Sequence, residues 1–184
     1  MRRKLILAVL ILLAFVLQGT VFQTLSIASI VPNLLLILTV SFGFMRGKRT
    51  GIWTGFVCGL CCDLLGDGIL GYYALIYLLI GFGAGCCCKL FYDDELRVPV
   101  LIVAVCDLVY GGMVYVLGFL LHGRIQFFYY FSRMMIPEMI YTVLLTAILY
   151  KVFLKINKKL TELEMKERDS NLVKKIKKYL INYA

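Results

Sequence analysis

Six apolar runs separated by short polar connections constrain this chain more than any other feature: residues 5–25, 32–45, 51–65, 69–88, 98–121 and 134–154. A bilayer hydrocarbon core about 30 Å thick takes about 20 apolar residues of helix, and lipid tolerates only helices or closed barrels because every backbone N–H and C=O must be satisfied internally. With 61% hydrophobic and only 17% charged residues, the chain has too little charge to cover a water-soluble globule. The runs therefore predict an all-α integral membrane protein, a six-helix transmembrane bundle over residues 1–157. At about 1.5 Å per residue the second and third runs reach only about 21 to 23 Å. They read as one hairpin that is thin, locally tilted or partly shielded by its neighbours.

Placement of charge decides what the net charge of +9 means. Of the 20 Lys and Arg, only Arg124 and Arg133 lie outside the first, third, fifth and seventh hydrophilic segments. Those four segments are Arg2-Arg3-Lys4, Arg46 to Arg49, Lys89 to Arg97, and everything from Lys151 on. The positive-inside rule puts all four in the cytoplasm, which predicts N-in and C-in topology and no nucleic-acid partner. The opening Met1-Arg2-Arg3-Lys4 and the apolar run after it also have the layout of a signal peptide, with Ser26-Ile27-Ala28 as a small-residue cleavage site. A retained anchor is the expectation, because cleavage would leave an odd helix count and set the basic tail against the charge rule.

The seven cysteines all fall in the apolar runs, where neither disulfides nor oxidising exposure is expected. Cys58 and Cys61 form a C-x-x-C, but a metal or redox site would need further ligands from other helices, and His122 is the sole histidine. Small apolar filler is the simpler reading, with no cofactor and no metal. No nucleophile–base constellation or phosphate loop is present in the sequence, so an enzyme has little chemical support. Asp63 and Asp67 as a surface acid pair are the weak form of that idea, since paired acids without added ligands are usually solvated.

Residues that demand explanation fall into three groups. Gly51, Gly55 and Gly59 recur at four-residue spacing, continuing to Asp63, and Gly81 and Gly85 repeat the pattern in the fourth run. Such small-xxx-small stripes let helix backbones approach in lipid, here within the chain rather than between copies. Asp107 sits near the middle of the fifth run and Glu138 near the outer end of the sixth, with Arg133 a turn earlier. An ionised group at that depth costs at least a few kcal/mol unless paired, hydrated or protonated, so a structural ion pair is the first reading and a relay or substrate site the second. Third, Phe127 to Phe131 beside Arg124 and Arg133 would anchor a helix end at the interface or dock a partner.

From residue 158 the composition turns charged and helix-favouring. Leu172, Ile176, Leu180 and Tyr183 recur at helical spacing beside Lys174, Lys175, Lys177 and Lys178. This basic amphipathic cytoplasmic tail, residues 158–184, would lie on anionic membrane lipids or bind a cytoplasmic protein.

Pro32-Asn33-Leu34-Leu35-Leu36-Ile37, Arg46-Gly47, the stretch from Gly51 to Leu60 with Asp63 and Leu64, then Gly71-Tyr72-Tyr73-Ala74-Leu75 and Tyr77 to Gly81 resemble the MreD family of rod shape-determining proteins. The resemblance covers residues 1–157. It implies a fold similar to the substrate-binding S components of energy-coupling-factor transporters. It also implies a non-enzymatic scaffold of the cell-elongation machinery that couples peptidoglycan synthesis to the cytoskeleton. The implied partners are MreC, the actin-like MreB, the glycosyltransferase RodA and a class B penicillin-binding transpeptidase. By the same resemblance, Gly51, Gly55, Gly59 and Asp63 are the family signature and no catalytic residue carries over. A small-molecule carrier is the alternative, motivated by the S-component likeness and the buried Asp107.

Overall fold

A computed structural model describes residues 2–24, 31–65, 70–87, 97–122 and 131–182. Within them the chain is all helical, with six α-helices and no strand: α1 (Arg2–Thr24), α2 (Leu34–Arg46), α3 (Lys48–Leu65), α4 (Tyr72–Cys87), α5 (Arg97–His122) and α6 (Ile136–Asn182). A π-helical turn, Phe131–Met135, leads into α6. Ser26-Ile27-Ala28, Asp67, Cys88, Lys89, Arg124 and the aromatic run before Phe131 lie outside the described residues.

The closest packing is among α2, α3 and α4, with α1 against α2 and α3, and α5 against α2 and α4. From Leu34 to Phe44 every side chain of α2 is buried. A helix that is apolar all round is a core helix. At 13 residues, about 20 Å, α2 is short because protein rather than lipid surrounds it. Its first turn is well supplied with acceptors: the Asn33 Oδ1 takes the Leu36 N–H at 3.1 Å, and the Gln18 Oε1 of α1 takes the Leu35 N–H at 3.2 Å. An Asn immediately before an apolar run is the residue type that satisfies orphan helix donors.

Gly47 alone separates α2 from α3, so α3 starts three residues before the apolar run and is 18 residues long. Its φ of 85° and ψ of −178° fall in a region essentially restricted to glycine. The Gly47 N–H closes the last turn of α2 on the Gly43 carbonyl at 2.8 Å, and its own carbonyl accepts from Gly51 at 3.1 Å to open α3. The π turn before α6 has a local cause. Pro137 has no N–H to give to the carbonyl four residues earlier and its ring crowds that position, which a widened turn relieves.

The chain divides into two compact units, residues 1–150 and 151–184. The first contains α1 to α5 and the start of α6. The second consists of the remainder of α6, which is continuous to Asn182, so no helix break marks the start of the basic tail. Lys174, Lys175, Lys177 and Lys178 fall within that helix; their side chains lie outside what the structure describes.

Candidate functional site

The α3–α4 hairpin meets along its glycines. A Cβ on Gly51 would strike the Gly81 carbonyl oxygen and lie 2.9 Å from its carbon; one on Gly81 would strike Gly51 in return. A Cβ on Gly55 would lie 2.8 Å from the Tyr77 carbonyl carbon, one on Gly59 would lie 2.7 Å from the Ala74 nitrogen, and one on Gly85 would lie 2.5 Å from the Lys48 Cα. All five glycines are buried, and the obstacles are backbone, which cannot rotate away. Gly43 of α2 joins the same contact, its Cβ position 3.1 Å from the Gly81 oxygen and 3.3 Å from the Gly51 Cα. Three backbones thus converge where no side chain fits, the close approach by which small residues hold helices together in lipid. At the same end, the Lys48 Nζ lies 5.4 Å from the centre of the Phe82 ring.

Asp63 closes the other end of the hairpin. It is only 5% exposed, and its carboxylate accepts from the N–H groups of Gly71 at 3.0 Å, Tyr73 at 2.8 Å and Ala74 at 3.2 Å. Those are first-turn donors of α4, whose helix opens with the Leu75 N–H on the Gly71 carbonyl. A side chain from α3 therefore caps α4, pairing negative charge with the positive end of the helix dipole. Gly71 adopts φ +98°, with open space at its Cβ position, so conformation rather than crowding selects glycine there.

A second polar junction joins α2, α4 and α6. The Tyr77 hydroxyl donates to the Asn33 Oδ1 at 2.6 Å, and the Asn33 N–H donates to the Thr142 Oγ1 at 3.4 Å. Tyr77, Thr142 and Thr146 have no exposed surface. Tyr110 of α5 packs edge-on against the Tyr77 ring at 5.5 Å, and the Tyr72 hydroxyl ties α4 to the Val114 carbonyl of α5 at 3.0 Å. Sequence reasoning did not assign Asn33, Gly43, Tyr77 or Thr142 a role. Two signals were available: the Pro32-Asn33 cap before a fully apolar run, and the four-residue spacing of Gly43 and Gly47.

Asp107 lies in the middle of the apolar stretch of α5, 5% exposed, and its Oδ1 makes no hydrogen bond among the described residues. The Thr142 side chain sits beside this carboxyl, and Glu138, one turn before Thr142 on α6, is within electrostatic reach of both Asp107 and Tyr73. The two carboxyls are thus within electrostatic reach of each other, and Arg133 is exposed in the π turn. Cys58 is buried beside Thr39, and Cys62 beside Tyr77. Among the described residues, no group of three or more His, Cys, Asp or Glu is placed to hold a metal.

Around this interior the outward surface is apolar, including Trp53 at 70% exposure, Leu64, Leu101, Leu144 and Ile148. Two stretches, Val98–Gly118 and Phe131–Glu162, are long and apolar enough to cross a membrane. Over residues 1–160 the sequence matches the family of rod shape-determining protein MreD. The chain belongs to the MreD family. No curated protein and no solved structure matches it. The MreD match takes in the whole glycine hairpin, the Asp63 cap and the Asn33–Tyr77–Thr142 junction, and it ends inside α6. MreD proteins are membrane proteins of a shape-determining, structural family, which fits an interior organised by backbone contact and capping.

Proposed function

We propose that this chain is a non-enzymatic membrane scaffold of the cell-elongation machinery, coupling cell-wall synthesis outside to the cytoskeleton inside through MreC. The observation that carries this reading is the MreD match over residues 1–160. The mechanism is mechanical. An α2–α3–α4 hub locked by glycine contact and by the Asp63 cap keeps its shape under load, and the exposed apolar flanks of the surrounding helices give single-span partners a surface of fixed angle. MreB, RodA and a class B penicillin-binding transpeptidase are the further partners in this assembly. The protein is multi-pass in the bacterial inner membrane with both ends cytoplasmic, residues 1–157 forming the membrane domain and 158–184 a tail on anionic lipid.

The test is an affinity pull-down of the tagged chain from its native membrane in detergent, read by mass spectrometry, beside Gly55→Leu expressed to the same level. Recovery of MreC or cell-wall synthases by the wild type, and their loss with Gly55→Leu, supports the scaffold; reproducible absence from the wild type refutes it. A second reading, a small-molecule carrier with an S-component-like fold, draws on one observation, the buried Asp107 oxygen without a donor. Co-purification of an energising ATPase module, or ligand-dependent thermal stabilisation, would support the carrier instead.

A further inference from the structure

We infer that the basic end of the α3–α4 hairpin binds an anionic phospholipid, its phosphate held by Lys48 and Arg49 and an acyl chain laid along the exposed face of α3. The inference goes beyond the scaffold reading and rests only on the MreD family being membrane proteins. Lys48 and Arg49 are both exposed in the first turn of α3. Lys48 is positioned twice. Its Cα stands so close to Gly85 of α4 that a Cβ there would lie 2.5 Å away, and its Nζ lies 5.4 Å from the centre of the exposed Phe82 ring. The ring engages one side of the ammonium and leaves N–H donors on the other. Arg49 heads a different face of α3, where Trp53, Phe56, Leu60 and Leu64 follow at four- and three-residue steps, all exposed.

Charge and length together select an anionic lipid over bulk neutral lipid. No carboxylate among the described residues pairs with Lys48 or Arg49, and α3 has no acidic residue in its first turn. The positive end of the helix dipole therefore adds to the two cations instead of offsetting them. Positive charge is also confined to this end of the hairpin. Residues 50–88 hold no Lys or Arg, and beyond them along α3 the buried Asp63 carboxylate is already satisfied by three N–H groups. At 18 residues α3 is about 27 Å long, against a hydrocarbon core of about 30 Å. A span that falls short draws the headgroups in toward its end, which brings phosphate to Lys48 and Arg49. Trp53, one turn further in, adds an indole N–H at the depth where aromatic side chains meet the headgroup boundary. A molecule that carries both a phosphate and a hydrocarbon chain matches the cations and the apolar face that continues from them.

Trp53 is the single tryptophan of the chain, so its fluorescence reports on this site alone. The purified full chain is reconstituted in bilayers of phosphatidylcholine and phosphatidylglycerol in varied ratio, with bromine on the acyl chains of one lipid or the other to quench the tryptophan on contact. Quenching by brominated phosphatidylglycerol is expected to exceed its bulk fraction, with a relative affinity about fivefold or more over phosphatidylcholine at low salt. Lys48→Gln combined with Arg49→Gln is expected to bring that ratio to about one. Replacing Lys174, Lys175, Lys177 and Lys178 of the tail by Gln is expected to leave it unchanged, which separates this site from attraction by the tail. The wild-type titration decides even where a variant fails to fold: quenching in proportion to the bulk fraction overturns the proposal. An excess that survives the Lys48 and Arg49 replacements, or disappears with the tail lysines, overturns it as well.

Discussion

Replacing Gly51 by Ala tests whether backbone contact is what holds the hub. The added Cβ would lie 2.9 Å from the Gly81 carbonyl carbon and 3.1 Å from the Gly43 Cα, against an ordinary carbon separation of about 3.5 to 4.0 Å. Relief therefore requires α3 to move off α2 and α4 by about 0.5 to 1 Å, which forfeits roughly a quarter to a half of the dispersion energy along the seam. For on the order of 40 heavy-atom pairs at about 0.15 kcal/mol each, the loss is about 1.5 to 3 kcal/mol. Alanine recovers up to about 1 kcal/mol through its better helix propensity. Gly83→Ala on α4 is the matched control, because a Cβ there meets nothing within 4 Å and the same propensity gain applies. The propensity term then cancels between the two variants. Gly51→Ala should melt about 4 to 10 °C below Gly83→Ala when both are purified and unfolded in the same lipid nanodisc. Equal midpoints, or a higher one for Gly51→Ala, would refute the claim that the seam is closed to a methyl group.

Three further substitutions address the other devices of the fold. Asp63→Asn halves the acceptor capacity facing three N–H groups and removes the charge; a loss of about 1 to 3 kcal/mol is expected, read as faster hydrogen exchange at Gly71, Tyr73 and Ala74, and unchanged exchange would dismiss the cap. Tyr77→Phe deletes the 2.6 Å bond to Asn33 while the Leu36 N–H keeps that oxygen partly satisfied, so denaturant titration should show a loss of about 1 kcal/mol. Gly47→Ala meets no atom within 4 Å yet is expected to cost about 1 to 3 kcal/mol, because φ 85° with ψ −178° strains any L residue. A thermal midpoint like that of the wild type would place the α2–α3 turn in a different conformation.

Periodicity and length sufficed for the helices, because an apolar run long enough for lipid has few alternatives to an α-helix. The four-residue recurrence of Gly51, Gly55 and Gly59 marked a close-packed stripe for the same reason: glycines on one helical face leave a groove whatever fills it. The charge pattern adds an expected orientation, since 18 of the 20 Lys and Arg fall in alternate hydrophilic segments.

What filled the groove was a matter of tertiary structure. Sequence spacing places Asp63 at the end of the glycine stripe, but only the turn back into α4 brings the N–H groups of Gly71, Tyr73 and Ala74 to its carboxylate. The shortness of α2 is visible in the chain, whereas its cause, burial of every side chain from Leu34 to Phe44, depends on four other helices. Asn33, Tyr77 and Thr142 lie 44 and 65 residues apart along the chain (77 − 33 and 142 − 77), too far for any local rule to join them. Nothing in the spacing of Asp107 and Glu138 along the chain signals that the fold sets them within electrostatic reach of each other. Local chemistry determined which segments are helices and which faces are small, because those depend on neighbours within a turn or two. Pairing among distant polar groups was decided by the fold, because in an apolar interior each buried donor or acceptor is satisfied only by whatever group the packing brings to it.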